Sequence, residues 1–487
     1  HHRTAHGDWS QVTAKIETQG DWLVSWDPED KENWDKKLAW HTLIVTTFTL
    51  TLCFAAWFLP SAIIPKLRGL GYDFTPQQLY WMAAMPGLSG GALRIIWMVL
   101  PPKIGTRKLV TLTTLLLLLP VLGWGFEVTN PDVPYWRLMG LAVLSGIGGG
   151  AFSGFMPSTS YFFPKRLQGT ALGLQAGIGN FGVSLVQLLT PWLISFPLFG
   201  FAFFDKYGSG VLEKFGFGLF RSQEMSFVGR PDVLVWYQNS ALVYLPFVIV
   251  GAIWAYIVLK SVPIKANIKQ QFDIFSNVDT HLMTILYIMT FGTFSGLAAQ
   301  FGLMMENMYG QYNDNIVQAG EVVVAGYAVP DVVNYIFLGP LVGAAARVVF
   351  APLTDRMGGA IWTLISGIGT LVAILCTIPS LTPDYSSAET LGSGFNLFLW
   401  GMLAIFFFTG IGNASTFKQM PMIFDKRQAG GVIGWTSAVA AFGPFLFGVG
   451  LTIMSPTAFY WIGAAWAIMS ITITWVRYAR PGAPKKG

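Results

Sequence analysis

The chain has 487 residues, of which 53% are hydrophobic and 11% charged, less than half the roughly 25% charged residues of an average soluble domain. So few charges cannot clothe a chain of this length in water, which excludes a cytosolic enzyme, a secreted disulfide scaffold and a disordered protein. The net charge of +5 would suggest nucleic acid as a partner for a soluble protein; in a lipid-facing chain it reflects Lys and Arg gathered on cytoplasmic loops.

Residues 1–37 form a polar tail that holds eight of the 25 carboxylates, and its opening His-His reads as a tag remnant. From residue 38 onward, apolar stretches recur, each long enough to cross about 30 Å of hydrocarbon. Twelve spans are predicted, at 40–65, 76–100, 108–127, 135–162, 169–200, 236–260, 281–305, 331–352, 359–379, 393–423, 428–453 and 456–478. Residues 201–235 are expected to hold a re-entrant or interfacial piece. The alternation of a β-barrel is absent, so the spans are helices and the fold class is an all-α membrane protein. Cys53 and Cys376 both lie in apolar runs, which leaves no Cys-based metal site.

Charge then orients the chain. With twelve spans both termini share a side, and 20 of the 30 Lys and Arg fall on it, seven on the other. That places both termini in the cytoplasm. The expected parts are a tail at 1–37, a six-helix bundle at 38–260, a cytoplasmic linker at 261–280, a second bundle at 281–478 and a tail at 479–487.

The halves repeat one another. Phe163-Pro164-Lys165-Arg166-Leu167-Gln168-Gly169 matches Phe424-Asp425-Lys426-Arg427-Gln428-Ala429-Gly430 at an offset of 261 residues, and Gly146-Ile147-Gly148 falls on Gly410-Ile411-Gly412 at 264. Arg94 falls on Arg347 at 253, and Lys103-Ile104-Gly105 on Arg356-Met357-Gly358 at the same shift. An ordered series of this kind is a duplicated six-helix unit. Two such halves around a midplane site describe the major facilitator architecture, and Leu353-Thr354-Asp355-Arg356-Met357-Gly358-Gly359 resembles that superfamily's cytoplasmic-loop motif.

Three cations remain inside spans, Arg94, Arg347 and Lys418, with no carboxylate well inside any span. An unpaired Arg at the bilayer centre costs about 3 kcal/mol or more, so two of them imply an anion. The planar guanidinium fork matches the oxygens of a small planar oxyanion. Two Gly-rich segments accompany the arginines, Gly173–Gly182 in span five and Gly434–Gly443 in span eleven. Their small residues permit close helix contact, while Gln175 and Asn180 carry amides that need partners.

The arginine pair together with these segments resembles the nitrate/nitrite porter family of the major facilitator superfamily, and the Gly-rich segments are similar to its two nitrate signatures. The likeness runs from Trp26-Asp27-Pro28-Glu29-Asp30 to the C-terminal tail. The second signature departs from the pattern at Ala440, which makes the packing of span eleven less secure. The resemblance implies that Arg94 and Arg347 bind the anion and that Asn180 and Tyr287 hydrogen-bond near it. It further implies that Phe54, Phe152 and Phe291 form aromatic walls and gates, with Gly177 and Ser437 lining the site. Lys418 stands where a neutral glutamine is expected, and the loop joining spans ten and eleven, about 425–428, is short where the best-known members carry a long insertion.

The expected activity is secondary active transport of nitrate and nitrite by alternating access. With no Asp, Glu or His inside the membrane, Lys418 is the candidate proton carrier, and the sequence reading leans towards nitrate/proton symport through it. Nitrate/nitrite antiport is the alternative, followed by a carrier for another small anion. No nucleophile, acid pair or metal-ligand set lies in the interior, so the expectation is a monomeric transporter in contact with lipid. An enzyme, a cofactor, a metal and a nucleic-acid partner are not expected.

Overall fold

The computed structural model describes residues 16–195, 222–225, 233–264, 272–310, 316–318, 321–324 and 334–487. Among the described residues, twelve long helices cross the molecule. In the first half these are α1 (Lys36–Lys66), α2 (Pro76–Val99), α3 (Pro101–Glu127), α4 (Tyr135–Ser160), α5 (Lys165–Leu193) and α6 (Asn239–Val258). The second half comprises α7 (Val278–Tyr309), α8 (Leu338–Met357), α9 (Gly359–Leu381), α10 (Ala388–Ile423), α11 (Lys426–Ala440, then Gly443–Ile453) and α12 (Pro456–Ala479). All but α8 are apolar enough by composition to cross a membrane; α8 carries Arg347, Asp355 and Arg356. Among the described residues three antiparallel strand pairs accompany the bundle: Thr18–Gln19 with Trp22–Leu23, Gln223–Met225 with Val233–Val235, and Ile316–Gln318 with Glu321–Val324. Most of the expected 201–235 piece and the centre of the 261–280 linker lie outside the described residues.

Local chemistry sets the helix ends. Asp35 caps α1 by accepting from the backbone of Lys37 and Leu38, and Thr75 and Gln78 form a reciprocal capping box at α2, with Pro76 at its first position. Two boundaries differ from expectation. Helix α8 begins seven residues later and runs five further, so that Asp355 and Arg356 lie in its last turn. The connection between α10 and α11 is only Phe424–Asp425.

The repeat is visible in the backbone. Gly105 (φ 81°) and Gly358 (φ 91°), the pair aligned at offset 253, both take the left-handed turn that glycine reaches without strain. Where α4 crosses α1, a Cβ on Gly148 would lie 2.0 Å from the Cys53 carbonyl; where α10 crosses α7, one on the aligned Gly412 would lie 2.2 Å from Thr290 Cγ2. Each half thus brings its first and fourth helices close together at the aligned glycine, against backbone in the first half and against the Thr290 side chain in the second.

On the face bearing the chain termini, residues 16–35 form a cover over the first half. Trp26 Nε1 donates to the Tyr161 carbonyl at 3.2 Å and Trp34 Nε1 to the Phe162 carbonyl at 2.7 Å. The Leu23 N–H donates to the Ser261 carbonyl at 2.7 Å, which ties the segment to the end of α6. On the opposite, far face the two halves close on each other. Lys66 Nζ, at the end of α1, lies 3.2 Å from Glu306 of α7, and Gln187 of α5 donates to the Ala298 carbonyl of α7 at 3.1 Å. A Cβ on Gly87 of α2 would lie 2.6 Å from the Phe445 backbone nitrogen of α11.

Candidate anion site between the two halves

Arg94 sits five residues before the end of α2 and is fully buried; Arg347, at the matching place in α8, is 6% exposed. Neither enters an ion pair among the described residues. Arg94 Nε donates to the Gly149 carbonyl of α4 at 2.8 Å, and Nη1 crosses to the other half to donate to the Ser437 carbonyl of α11 at 2.9 Å. Its Nη2 and the Nη1 of Arg347 are buried without a hydrogen-bond partner. The two cations are close enough to act on each other, and buried donors of this kind call for an acceptor.

Aromatic rings hold both guanidinium groups. The Arg94 carbon Cζ lies 4.7 Å from the Phe152 ring centre, 5.2 Å from Trp57 and 5.5 Å from Phe291, and Arg347 lies 4.7 Å over Phe417. Such contacts gain strength where water is excluded. A stack of rings links the two cations: Phe417 on Tyr287 (5.1 Å, 17°), then Tyr287 on Phe291 (5.4 Å, 6°). Ser437 Oγ is buried beside this stack without a hydrogen-bond partner. Phe291 is carried by a π-turn at Ile288–Gly292 in the middle of α7, a feature that recurs at functional sites. Facing that turn, α11 breaks between Ala440 and Gly443, where a Cβ on Gly443 would lie 2.3 Å from the Gly292 carbonyl. The break thus falls directly after the residue at which the second signature departs from its pattern.

The remaining expected residues divide into three groups. Phe54 meets Phe152 edge-on at 6.0 Å and Trp57 at 5.6 Å, so it backs the wall around Arg94. Asn180 is buried with an unpartnered Nδ2, while Gly177 puts α5 against Val348, next to Arg347, at 3.1 Å from a built Cβ. Lys418 requires a correction. It was expected as a titratable cation isolated in the membrane interior, but its Nζ lies 2.9 Å from Asp355 Oδ1 of α8, with the two side chains 34% and 66% exposed. The reach of one helix to the next, which a count of charges per span does not contain, accounts for the difference. Trp57 and Phe417 were not anticipated; only the i, i+3 spacing of Trp57 from Phe54 pointed to either.

A family model for the Major Facilitator Superfamily matches residues 46–387. The chain is 50% identical over 475 residues, 96% of its length and 98% of the relative's, to the probable nitrate/nitrite antiporter NarK2 of Thermus thermophilus. The chain belongs to the nitrate/nitrite porter family of the major facilitator superfamily. The nitrate/nitrite transporter NarU of Salmonella typhimurium is 29% identical to this family member over 96% of the chain and 99% of its own. Among solved structures, the inward-open xylose transporter XylE from E. coli superposes with a TM-score of 0.60 at 12% identity, covering 90% of this chain and 95% of the other. At that identity the likeness concerns the fold alone, which is the twelve-helix major facilitator fold in two six-helix halves. Among the described residues no group of three His, Cys, Asp or Glu comes together.

Proposed function

We propose that this porter exchanges nitrate for nitrite across the cytoplasmic membrane, the anion being held between Arg94 and Arg347. The observation that carries the reading is the pair of buried guanidinium groups, each with an unbonded N–H and neither with a carboxylate partner among the described residues. Two forks with aromatic faces suit a small, weakly hydrated, planar monoanion. In this reading Asn180 and Tyr287 supply further donors to the anion, and Phe152 and Phe291 wall the Arg94 side. Two of the relatives bear nitrate/nitrite names, which agrees with this substrate class.

Alternating access follows from rocking of residues 38–260 against 281–478 about the site. The two like charges repel when bare, so a bound anion eases closure and loaded transitions are favoured over empty ones. That asymmetry gives exchange. Lys418, half exposed and paired with Asp355, is better suited to tether α10 to α8 than to shuttle a proton, which favours antiport over symport. In this reading the chain works as a monomer, carries its substrate unchanged and keeps both termini in the cytoplasm, in line with the excess of Lys and Arg on that side.

The test is counterflow in proteoliposomes. Nitrite or nitrate loaded inside should accelerate uptake of labelled nitrate, Arg94→Lys and Arg347→Lys should each abolish that acceleration, and phosphate should not compete. Phosphate competing better than nitrate, or Arg94→Ala retaining nitrate binding, would overturn the assignment.

A further inference from the structure

We propose that Phe417 is a positioning and specificity-determining residue of this site, fixing the plane of the Arg347 guanidinium and, through Tyr287 and Phe291, relating it to that of Arg94. The inference rests on the anion-site reading above. Among the described residues, Arg347 has no backbone carbonyl bond of the kind that anchors Arg94 to Gly149 and Ser437. Its orientation is set by the Phe417 ring face 4.7 Å away. Phe417 is in turn held parallel to Tyr287, and Tyr287 to Phe291, whose ring reaches Arg94. The five groups form one chain of contacts, from Arg347 through three rings to Arg94. A guanidinium contacting a ring face is restricted in its tilt, so its free N–H keeps one direction.

The next residue on α10 reinforces this. The Lys418–Asp355 pair ties α10 to α8 two turns beyond Arg347, holding Phe417 in register with the arginine it faces. The opposite cation has an equivalent support in Trp57, whose ring contacts Arg94 at 5.2 Å while its N–H is fixed on the Pro86 carbonyl at 2.8 Å. Two forks with restricted planes accept an oxyanion whose oxygens lie in a plane and serve a tetrahedral one poorly. Phe417 therefore acts on affinity and on the preference for planar anions, and not on the rate at which the loaded protein reorients.

The experiment is nitrate exchange in proteoliposomes with perchlorate as a tetrahedral monoanion competitor. Phe417→Leu should raise the half-saturating nitrate concentration about tenfold, the scale of one desolvated cation–π contact, and lower the nitrate-over-perchlorate preference by a similar factor. The maximal exchange rate should stay within about twofold, on the same reasoning, and Phe417→Tyr should restore both quantities. If Phe417→Leu aggregates on size exclusion, Phe417→Met, unringed and flexible, gives the same readout. Unchanged half-saturation and preference, or a lowered maximal rate alone, would overturn the proposal. Wild-type protein that exchanges no nitrate would overturn the anion-site reading itself. Exchange that is lost in Arg347→Lys but indifferent to Phe417→Leu would remove only the role of Phe417.

Discussion

Gly87→Ala tests whether the far face is closed by direct backbone contact between the halves. The added Cβ would stand 2.6 Å from the Phe445 nitrogen and 2.7 Å from Pro444 Cβ, against 3.4 Å at the near edge of ordinary contact. Helices α2 and α11 must therefore part by about 0.8 Å, a displacement that main-chain atoms cannot absorb by a rotamer change. Overpacking of this size costs about 1–3 kcal/mol, and the cost falls only on the conformation in which the far face is shut. The equilibrium should move towards far-side opening by about 5- to 150-fold. The assay is alkylation of Ser61→Cys, buried on that side, by an impermeant maleimide, in a background lacking Cys53 and Cys376. Gly140→Ala, with nothing within 4 Å of its Cβ, is the matched control. Equal labelling rates for Gly87→Ala and Gly140→Ala would refute the close approach of α2 and α11 and the closure argument with it.

Lys418→Gln should leave nitrate exchange insensitive to an imposed pH gradient and lower stability by at most about 1 kcal/mol, since the pair it breaks is largely exposed; a pH-driven uptake present in wild type and lost in the variant would revive symport. Asp279→Asn should loosen the termini-side joint between α7 and α12, because Asp279 accepts from Arg477 at 3.1 and 3.3 Å and from the Tyr478 hydroxyl at 2.8 Å. A drop in unfolding midpoint in detergent, corresponding to about 1–3 kcal/mol, is expected with nitrate affinity unchanged. Trp26→Phe and Trp34→Phe remove one donor each from the cover over α4 and α5. They should cost about 1 kcal/mol apiece, measured by the same melting assay, and the double variant should show whether the two act as a unit.

Much of this was legible in the sequence because the governing constraints are local or repetitive. Apolar length gave the spans, and the ordered offsets gave the duplication, which the matched left-handed glycines Gly105 and Gly358 repeat in the backbone. Arg94 and Arg347 stood out because hydrocarbon makes an unpaired charge conspicuous. Phe417 could not stand out: it is one of 38 phenylalanines, and its meaning comes from a ring stack between α7 and α10. Lys418 was misplaced for the same reason, its partner being 63 residues earlier on a helix whose end was set too soon. The π-turn left no mark in the apolar pattern, since one extra residue in a turn changes facing without changing composition.

That π-turn has a consequence for how the chain tolerates changes in length. A deletion elsewhere in α7 would rotate every later side chain by about 100°, carrying Phe294, Ser295 and Phe301 away from the neighbours they meet. Within Ile288–Gly292 the helix already holds one residue more than a regular turn needs. Losing a single residue there would restore ordinary winding and leave both flanks facing as they do now. The outer half of α7 would keep its packing while Phe291 left its place beside Arg94. Folding and anion recognition could thus be separated by removing one residue, at a position where the helix spans the membrane undisturbed.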